Sequence, residues 1–215
     1  MSTDAGGRAA PQATSFFRFS KRTSDIVISL LLLPGLALCA AILLLLNWRL
    51  NPGQMIYSQE RVGQRGAPFR IFKFRTMINA EDDRSAHFAP EETDRISRLG
   101  HFMRATRIDE LPQILNVLKG EMSLVGPRPE QVAFYNQYEH SIPGYAPRQI
   151  VRPGITGLAQ LKYGYTSDEA GTTRKLKWDL EYINRQGFDI ETYIMWHTFL
   201  FVMSRLLRLP IKTKL

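Results

Sequence analysis

Arg104-Ala105-Thr106-Arg107-Ile108-Asp109-Glu110-Leu111-Pro112-Gln113 is the stretch on which the reading of this chain turns. Two arginines lead into two adjacent carboxylates. A helical apolar pattern follows at once, Leu111, Ile114, Leu115 and Leu118, up to Gly120. The spacing predicts a helix with Asp109 or its neighbour at the N-cap, Pro112 in the first turn where proline is tolerated, and Gly120 just past the end. A helix N-terminus offers free N–H groups and a partial positive charge, so it attracts phosphate and keeps a carboxylate ionised. Asp109 is therefore expected to be a ready anionic nucleophile within a phosphate site. The plainer reading is that Asp109 only caps a helix, as aspartate often does. Arg95, Arg98, Arg104 and Arg107 follow one another with no acid between them, and that excess shifts the balance toward anion binding.

The charge of the whole chain agrees. Among 215 residues, 28 Lys and Arg face 20 Asp and Glu, a formal charge of +8, which suits nucleic acid, anionic lipid or phosphorylated substrates. The length allows one domain with a real core and an appended helical segment, not two catalytic domains. Cys39 is the single cysteine, which excludes a disulfide framework and a cysteine metal site and places the soluble part in the cytosol. The four histidines are scattered without metal-ligand spacing.

Toward the N-terminus, residues 1–15 read as a disordered leader. Phe16, Phe17 and Phe19 interleave with Arg18, Lys21 and Arg22, a mixture suited to the headgroup layer of an anionic membrane. Residues 26–46 then run without a charge for 21 positions, about 30 Å as a helix and enough to cross a bilayer. Pro34-Gly35 interrupts the run, and proline removes one helical hydrogen bond. A bend is expected there, with arms 26–33 and 36–46. Basic residues flank both ends, Lys21 and Arg22 before and Arg49, Arg61 and Arg65 after, so both ends read as cytoplasmic. A re-entrant helix is favoured over a spanning one, and a buried core helix is the third option.

Beyond Asn51-Pro52-Gly53, residues 55–59 and 69–74 read as two strands of a hairpin, with Lys73 and Arg75 on one face. Residues 78–94, which include Glu81-Asp82-Asp83 and Glu91-Glu92, read as a mobile polar loop. After the central helix, 121–125 reads as a short buried strand leading into Gly126-Pro127-Arg128-Pro129. The prolines stiffen this loop and pre-position Arg128, whose guanidinium suits bidentate phosphate recognition. A helix near 131–140 follows, then Val151-Arg152-Pro153-Gly154-Ile155-Thr156-Gly157-Leu158-Ala159-Gln160, whose glycines would allow close approach of a ligand. Residues 172–185 form a charged helix in which Trp178, Asp179, Tyr182 and Ile183 stand out. Residues 190–209 read as an interfacial helix followed by a basic tail.

Taken together, these motifs resemble the monotopic phosphoglycosyl transferases, the bacterial sugar transferase family, over residues 18–205. The resemblance is carried by the proline-broken apolar helix, Lys73-Phe74-Arg75-Thr76-Met77, Asp109-Glu110-Leu111-Pro112-Gln113, Ser123-Leu124-Val125-Gly126-Pro127-Arg128-Pro129 and Arg152-Pro153-Gly154-Ile155-Thr156-Gly157. It implies transfer of a phosphosugar from a UDP-sugar to polyprenyl (undecaprenyl) phosphate with release of UMP, through a covalent phosphosugar on the aspartate matching Asp109. Glu110 would complete the dyad, and both would hold Mg²⁺. Lys73, Arg75, Arg104, Pro127, Arg128, Gln160 and Asp179 are the expected substrate-binding residues. The expected fold is α+β: a mostly helical small domain with a short β-hairpin, one re-entrant membrane helix and interfacial amphipathic helices. Its parts would be the leader 1–15, the re-entrant segment 16–50 and the catalytic unit 51–215, on the cytoplasmic face of a bacterial inner membrane. The chain reads as the short form of the family, without an N-terminal bundle of membrane helices. It departs from the family pattern at Leu33, where serine often precedes the proline. Expected partners are a UDP-sugar, polyprenyl phosphate and membrane lipid, not nucleic acid, with a homodimer left open. The competing reading is a non-catalytic basic membrane adaptor that binds anionic lipid or polysaccharide-assembly proteins; it leaves Asp109-Glu110 beside Arg128 unexplained.

Overall fold

The computed structural model describes residues 13–77, 95–164 and 169–207. Its first element, α1 (Ser15–Leu50), is a single helix of 36 residues with Pro34 inside it. Thr14 caps it by accepting a hydrogen bond from the Phe17 amide at 3.2 Å. Ser15 therefore belongs to the helix and not to the expected leader, of which residues 1–12 lie outside the described part. The two arms expected on either side of Pro34 belong to one continuous helical element, in which leucine and alanine on both sides are strong helix formers and only one amide hydrogen is lost at the ring. Only 11% of the most apolar stretch of α1 is buried, which excludes a core helix. The buried stripe is narrow: Phe17, Asp25, Ser29 and Leu43.

A hairpin follows, β1 (Ile56–Val62) and β2 (Pro68–Phe74), antiparallel from Ile56 opposite Phe74 to Val62 opposite Pro68. β1 runs three residues past the expected 59 because the Val62 amide goes on to bond the Glu130 carbonyl at 2.9 Å. Phe69, Ile71 and Lys73 lie on one face of this unbroken register, and Phe74 lies on the other, buried against Leu43 of α1 and Met103. Lys73 and Arg75, the latter just past the end of β2, bond different partners.

Ser97 caps α2 (Arg98–Thr106), its hydroxyl accepting from the Gly100 amide at 2.9 Å. Arg107, with φ 61° in the left-handed region, ends that helix. The next residues form a 3₁₀ turn, Ile108–Glu110, and α3 (Gln113–Lys119) begins only after Pro112. Asp109 is thus not the helix N-cap that the spacing suggested, since the left-handed step at Arg107 redirects the chain first. The inward face of α3 also differs from the apolar list: Gln113, Ile114, Asn116 and Val117 are buried while Leu115 is 40% exposed. Gly120, at φ 86°, closes α3 as expected.

Beyond it come β3 (Ser123–Val125), α4 (Val132–Ser141), a 3₁₀ turn (Ala146–Gln149), β4 (Gly154–Thr156), α5 (Leu158–Tyr163), α6 (Glu169–Asn184) and α7 (Phe188–Leu207). β3 and β4 pair in parallel, Ser123 with Gly154 and Val125 with Thr156. This second small sheet was not anticipated, and it reassigns the glycines of 154–157. A Cβ on Gly154 would lie 2.1 Å from the Gly126 nitrogen, and one on Gly157 would lie 2.3 Å from the Gly126 carbonyl oxygen. The glycines admit backbone against backbone, not a ligand. Around this sheet Ile71, Val117, Met122, Val125, Tyr182 and Ile194 form a core in which each is at most 2% exposed. A second cluster stacks Tyr135, Tyr138 and Tyr145, and a third seats Leu43 of α1 on Phe74 and Met103. α7 leaves Trp196, Phe199 and Leu207 more than half exposed, as an interfacial helix would. The expected mobile loop 78–94 and the basic tail 208–215 lie outside the described residues.

Two glycine substitutions separate packing from chain flexibility. Gly154→Ala meets backbone on every side and should cost more than about 3 kcal/mol or prevent folding. Gly35→Ala meets nothing within 4 Å and should stabilise α1 by about 0.5–1 kcal/mol. Thermal unfolding of both proteins in detergent checks the contrast, and equal effects would contradict the close backbone approach.

Candidate active site

Glu110 is 6% exposed and sits among cations delivered by two different parts of the fold. Lys73, from the end of β2, donates to Oε1 at 3.0 Å. Arg128, between its two prolines, donates to the same oxygen at 2.5 Å and to Oε2 at 3.4 Å. Asn116 brings β2 to this place: its amide nitrogen donates to the Arg70 carbonyl at 2.7 Å, and its oxygen accepts from the Phe72 amide at 3.1 Å. Burial works against a charge on Glu110, yet Arg128 and then Lys73 hold its carboxyl well below the ordinary value. Burial likewise lowers the Lys73 pKa, with Glu110 opposing.

Asp109 has a different environment. It is 8% exposed, and its Oδ1 is buried without a hydrogen-bond partner among the described residues. Burial, and then the negative charge of Glu110, raise its pKa from 3.8 to about 6, against the pull of Lys73, Arg107 and Arg128. This corrects the expectation of a carboxylate kept ionised by a helix N-terminus. The group is still mostly ionised at pH 7, but weakly matched. Two neighbouring carboxylates with opposite shifts are suited to different tasks: Glu110 is a fixed anion, and Asp109 is a dehydrated, underbonded one that can react.

The remaining expected site residues are divided by the structure. Lys73 and Arg128 meet at the dyad, with Pro127 holding the loop. Arg107 acts on both carboxylates but was read only as part of a basic run. Arg104 donates from Nε to the Thr76 hydroxyl at 2.8 Å, and Arg75 reaches the carbonyls of Asn51 and Pro52, tying the end of α1 to β2. Gln160 donates to the Ile155 carbonyl at 3.2 Å, leaving its own oxygen buried and unpartnered. Asp179 is 3% exposed and accepts two bonds from Arg148, from Nη2 at 2.8 Å and from Nε at 3.2 Å; this buried pair is its role in the fold.

Sequence reasoning missed Arg148, Asn116 and the polar face of α1. There, Lys21 pairs with Glu191 at 2.6 Å, Arg22 donates to the Val117 and Leu118 carbonyls at 2.7 and 3.1 Å, and Asp25 accepts from the Ser123 hydroxyl at 2.8 Å. A signal is present in the sequence, since Phe17, Lys21, Asp25 and Ser29 recur every four residues along one face. As for a metal, no group of three His, Cys, Asp or Glu gathers among the described residues. Asp109 Oδ1 is a free hard oxygen, while both Glu110 oxygens already accept from cations. The pair fits an ion such as Mg²⁺, which takes one or two carboxylates and fills its shell with phosphate oxygens and water.

Known proteins match most of this chain. The family profile described as bacterial sugar transferase matches residues 16–205. A UDP-N-acetylgalactosamine-undecaprenyl-phosphate N-acetylgalactosaminephosphotransferase of Aeromonas hydrophila is 42% identical over 185 residues, covering 85% of this chain and 43% of the relative. A UDP-glucose:undecaprenyl-phosphate glucose-1-phosphate transferase of Escherichia coli (strain K12) is 41% identical, covering 81% of this chain and 38% of the relative. One of the same description from Caulobacter vibrioides is 42% identical, covering 82% and 64%. The chain thus spans about two fifths of the length of the first two of these relatives.

The raised pKa of Asp109 has a measurable consequence for stability. A group that binds its proton more tightly when folded contributes stability below its unfolded pKa and loses it as pH rises through the folded value. For Asp109 that window runs from about 4 to about 6. Asp109→Asn should therefore make the protein more stable at pH 7.5, by about 1–3 kcal/mol, and the advantage should vanish near pH 4. Unfolding midpoints across this range test it; a destabilised variant at pH 7.5 would contradict the assignment.

Proposed function

The chain belongs to the bacterial sugar transferase family, and from that membership we propose that it moves a sugar 1-phosphate from a UDP-sugar to undecaprenyl phosphate and releases UMP. The observation that carries the proposal is the divided carboxylate pair, with Asp109 buried and underbonded beside a Glu110 already neutralised by Lys73 and Arg128. The covalent route follows from it. Asp109 attacks the phosphorus that bears the sugar, the bond from that phosphorus to the UMP oxygen breaks, and an aspartyl phosphosugar remains. An oxygen of undecaprenyl phosphate then attacks the same phosphorus, the acyl phosphate bond breaks, and the carboxylate is restored. Splitting the transfer lets a soluble and a lipid phosphate use one pocket in turn.

Arg128 and Lys73 hold positive charge where the diphosphate must lie, and Arg107 adds to it. Glu110 keeps these cations in place while the site is free of substrate and can yield them to the entering phosphates. Mg²⁺ on Asp109, with Glu110 beside it, would supply further positive charge to the diphosphate. Burial of Asp109 strips it of water, which favours attack on phosphorus and raises the pKa that limits it at low pH. As the first membrane step in building a polysaccharide or glycoconjugate, this reaction needs a site at a bilayer surface. α1 supplies the apolar anchor.

The same helix supports a membrane-dipping arrangement on the cytoplasmic face of the inner membrane. α1 is about 54 Å long, well beyond the hydrocarbon thickness of about 30 Å. Yet it is bonded to the catalytic domain at both ends, through Arg22 and Asp25 near its start and through Asn51, whose amide donates to the Arg75 carbonyl at 2.8 Å, at its finish. Two ends fixed to one domain belong on one side of a bilayer. Cysteine labels at positions 14 and 54, in a protein with Cys39 replaced by serine, should both react from the cytoplasmic side only; labelling of one from each side would contradict this topology.

The reaction itself is tested by UMP release from a panel of UDP-sugars in nanodiscs. Steady turnover should require undecaprenyl phosphate, and Asp109→Asn should reduce it by at least about 1,000-fold. Because the reactive form is ionised Asp109, kcat/KM should fall roughly tenfold per pH unit below about 6. Absence of UMP release with every donor would leave the membrane adaptor as the better account.

A further inference from the structure

Pro127 and Pro129 have no amide hydrogen, so the Gly126-Pro127-Arg128-Pro129-Glu130 loop is held in place largely through its carbonyls. Each carbonyl from 127 to 130 is bonded. The Gly154 amide donates to that of Pro127 at 2.9 Å, and the Val62 amide to that of Glu130 at 2.9 Å. The two between are taken by side chains: Arg61 Nη1 donates to the Pro129 carbonyl at 3.2 Å, and Arg148 Nη2 to the Arg128 carbonyl at 3.0 Å. Arg148 lies on the 3₁₀ turn Ala146–Gln149 and is 7% exposed. Its other donors are engaged as well, with Asp179 as described, with the Tyr145 hydroxyl at 2.6 Å and with Glu130 at 3.4 Å. Burial would favour its neutral form, but Asp179, Tyr145 and Glu130 outweigh burial and keep it protonated.

We infer that Arg148 is a positioning residue for the transfer: by gripping the main chain of Arg128, it fixes where the Arg128 guanidinium meets Glu110 and the incoming diphosphate. The inference deepens the proposed function and rests on it. Buried arginine is well suited to the task because its planar fork serves several acceptors at fixed angles, whereas a lysine ammonium is a point charge on a flexible stem. The path from α6 to the dyad is then continuous: Asp179 orients Arg148, Arg148 holds the Arg128 carbonyl, and the Arg128 side chain grips Glu110. Asp179 thereby affects substrate binding without touching substrate.

The test is a double-mutant cycle on Arg148→Lys and Arg128→Lys, with kcat and KM for UMP release and an unfolding midpoint measured for all four proteins. If Arg148 acts through Arg128, each single change should lower kcat/KM by about tenfold, and the double variant should fall less than about threefold below Arg128→Lys alone. Losses that multiply to about a hundredfold would show independent actions and overturn the inference. Tyr145→Phe, which removes only one acceptor of Arg148, gives a milder arm of the same cycle should Arg148→Lys fold poorly; its loss must also disappear in the Arg128→Lys background. Hydrogen exchange of the Arg128 and Glu130 amides supplies a readout independent of turnover. It should quicken in Arg148→Lys while α7 stays unchanged, and unchanged exchange at those amides overturns the inference even if the chain proves to have another activity.

Discussion

A carboxylate buried as deeply as Glu110 is strongly unfavourable without counter-charge, so the ion-pair cluster of Glu110 with Lys73 and Arg128 constrains everything around it. It sets the end of β2, where Lys73 follows Phe69 and Ile71 on the inward face. It sets the loop after β3, which must bring Arg128 across from the opposite side. It also sets the turn between α2 and α3, where Arg107 takes a left-handed conformation to present two successive carboxylates in a 3₁₀ geometry. Once Glu110 is satisfied in this way, no cation among the described residues is left bonded to Asp109 Oδ1. The pair is asymmetric because one member has claimed the partners of both.

The second constraint is where the membrane helix meets this cluster. α1 does not hang from the domain by a linker; it is bonded into it. Arg22 bonds the last carbonyls of α3, and Asp25 bonds Ser123 and the Leu124 amide at the head of β3. Lys21 reaches Glu191, which also accepts from the Tyr182 hydroxyl at 2.6 Å. α3 follows the dyad and β3 leads into the Arg128 loop, so a single face of α1 fixes the position of both relative to the apolar helix. The opposite face, with Leu31, Leu45 and Trp48 at least 74% exposed, is free for hydrocarbon.

What the sequence made legible were features with local causes. The long apolar helix, the hairpin, α4 and the Gly120 stop all follow from period, turn residues and backbone preference, and they stand close to where they were expected. Charge and proline stiffening singled out Asp109, Glu110, Lys73 and Arg128, which the structure brings together. What escaped was set by pairing between distant segments. The β3–β4 sheet has three residues per strand and no periodic signal. The glycines that permit it look from sequence like a ligand loop. Arg75 and Arg104 are indistinguishable by composition from Lys73 and Arg128, yet they bond main-chain carbonyls and a threonine. The helix N-cap assigned to Asp109 failed because nothing local announces a left-handed arginine two residues earlier.

The central claim is that Asp109, and not Glu110, carries the phosphosugar, because Glu110 is already neutralised. It is tested most directly by incubating the wild-type protein with a UDP-sugar labelled in its β-phosphorus, without lipid acceptor, and locating the label by peptide mass spectrometry. The account predicts one phosphosugar per chain, on Asp109, released by hydroxylamine and discharged by undecaprenyl phosphate. Label on Glu110, or turnover with no label on the protein at any time, would contradict it.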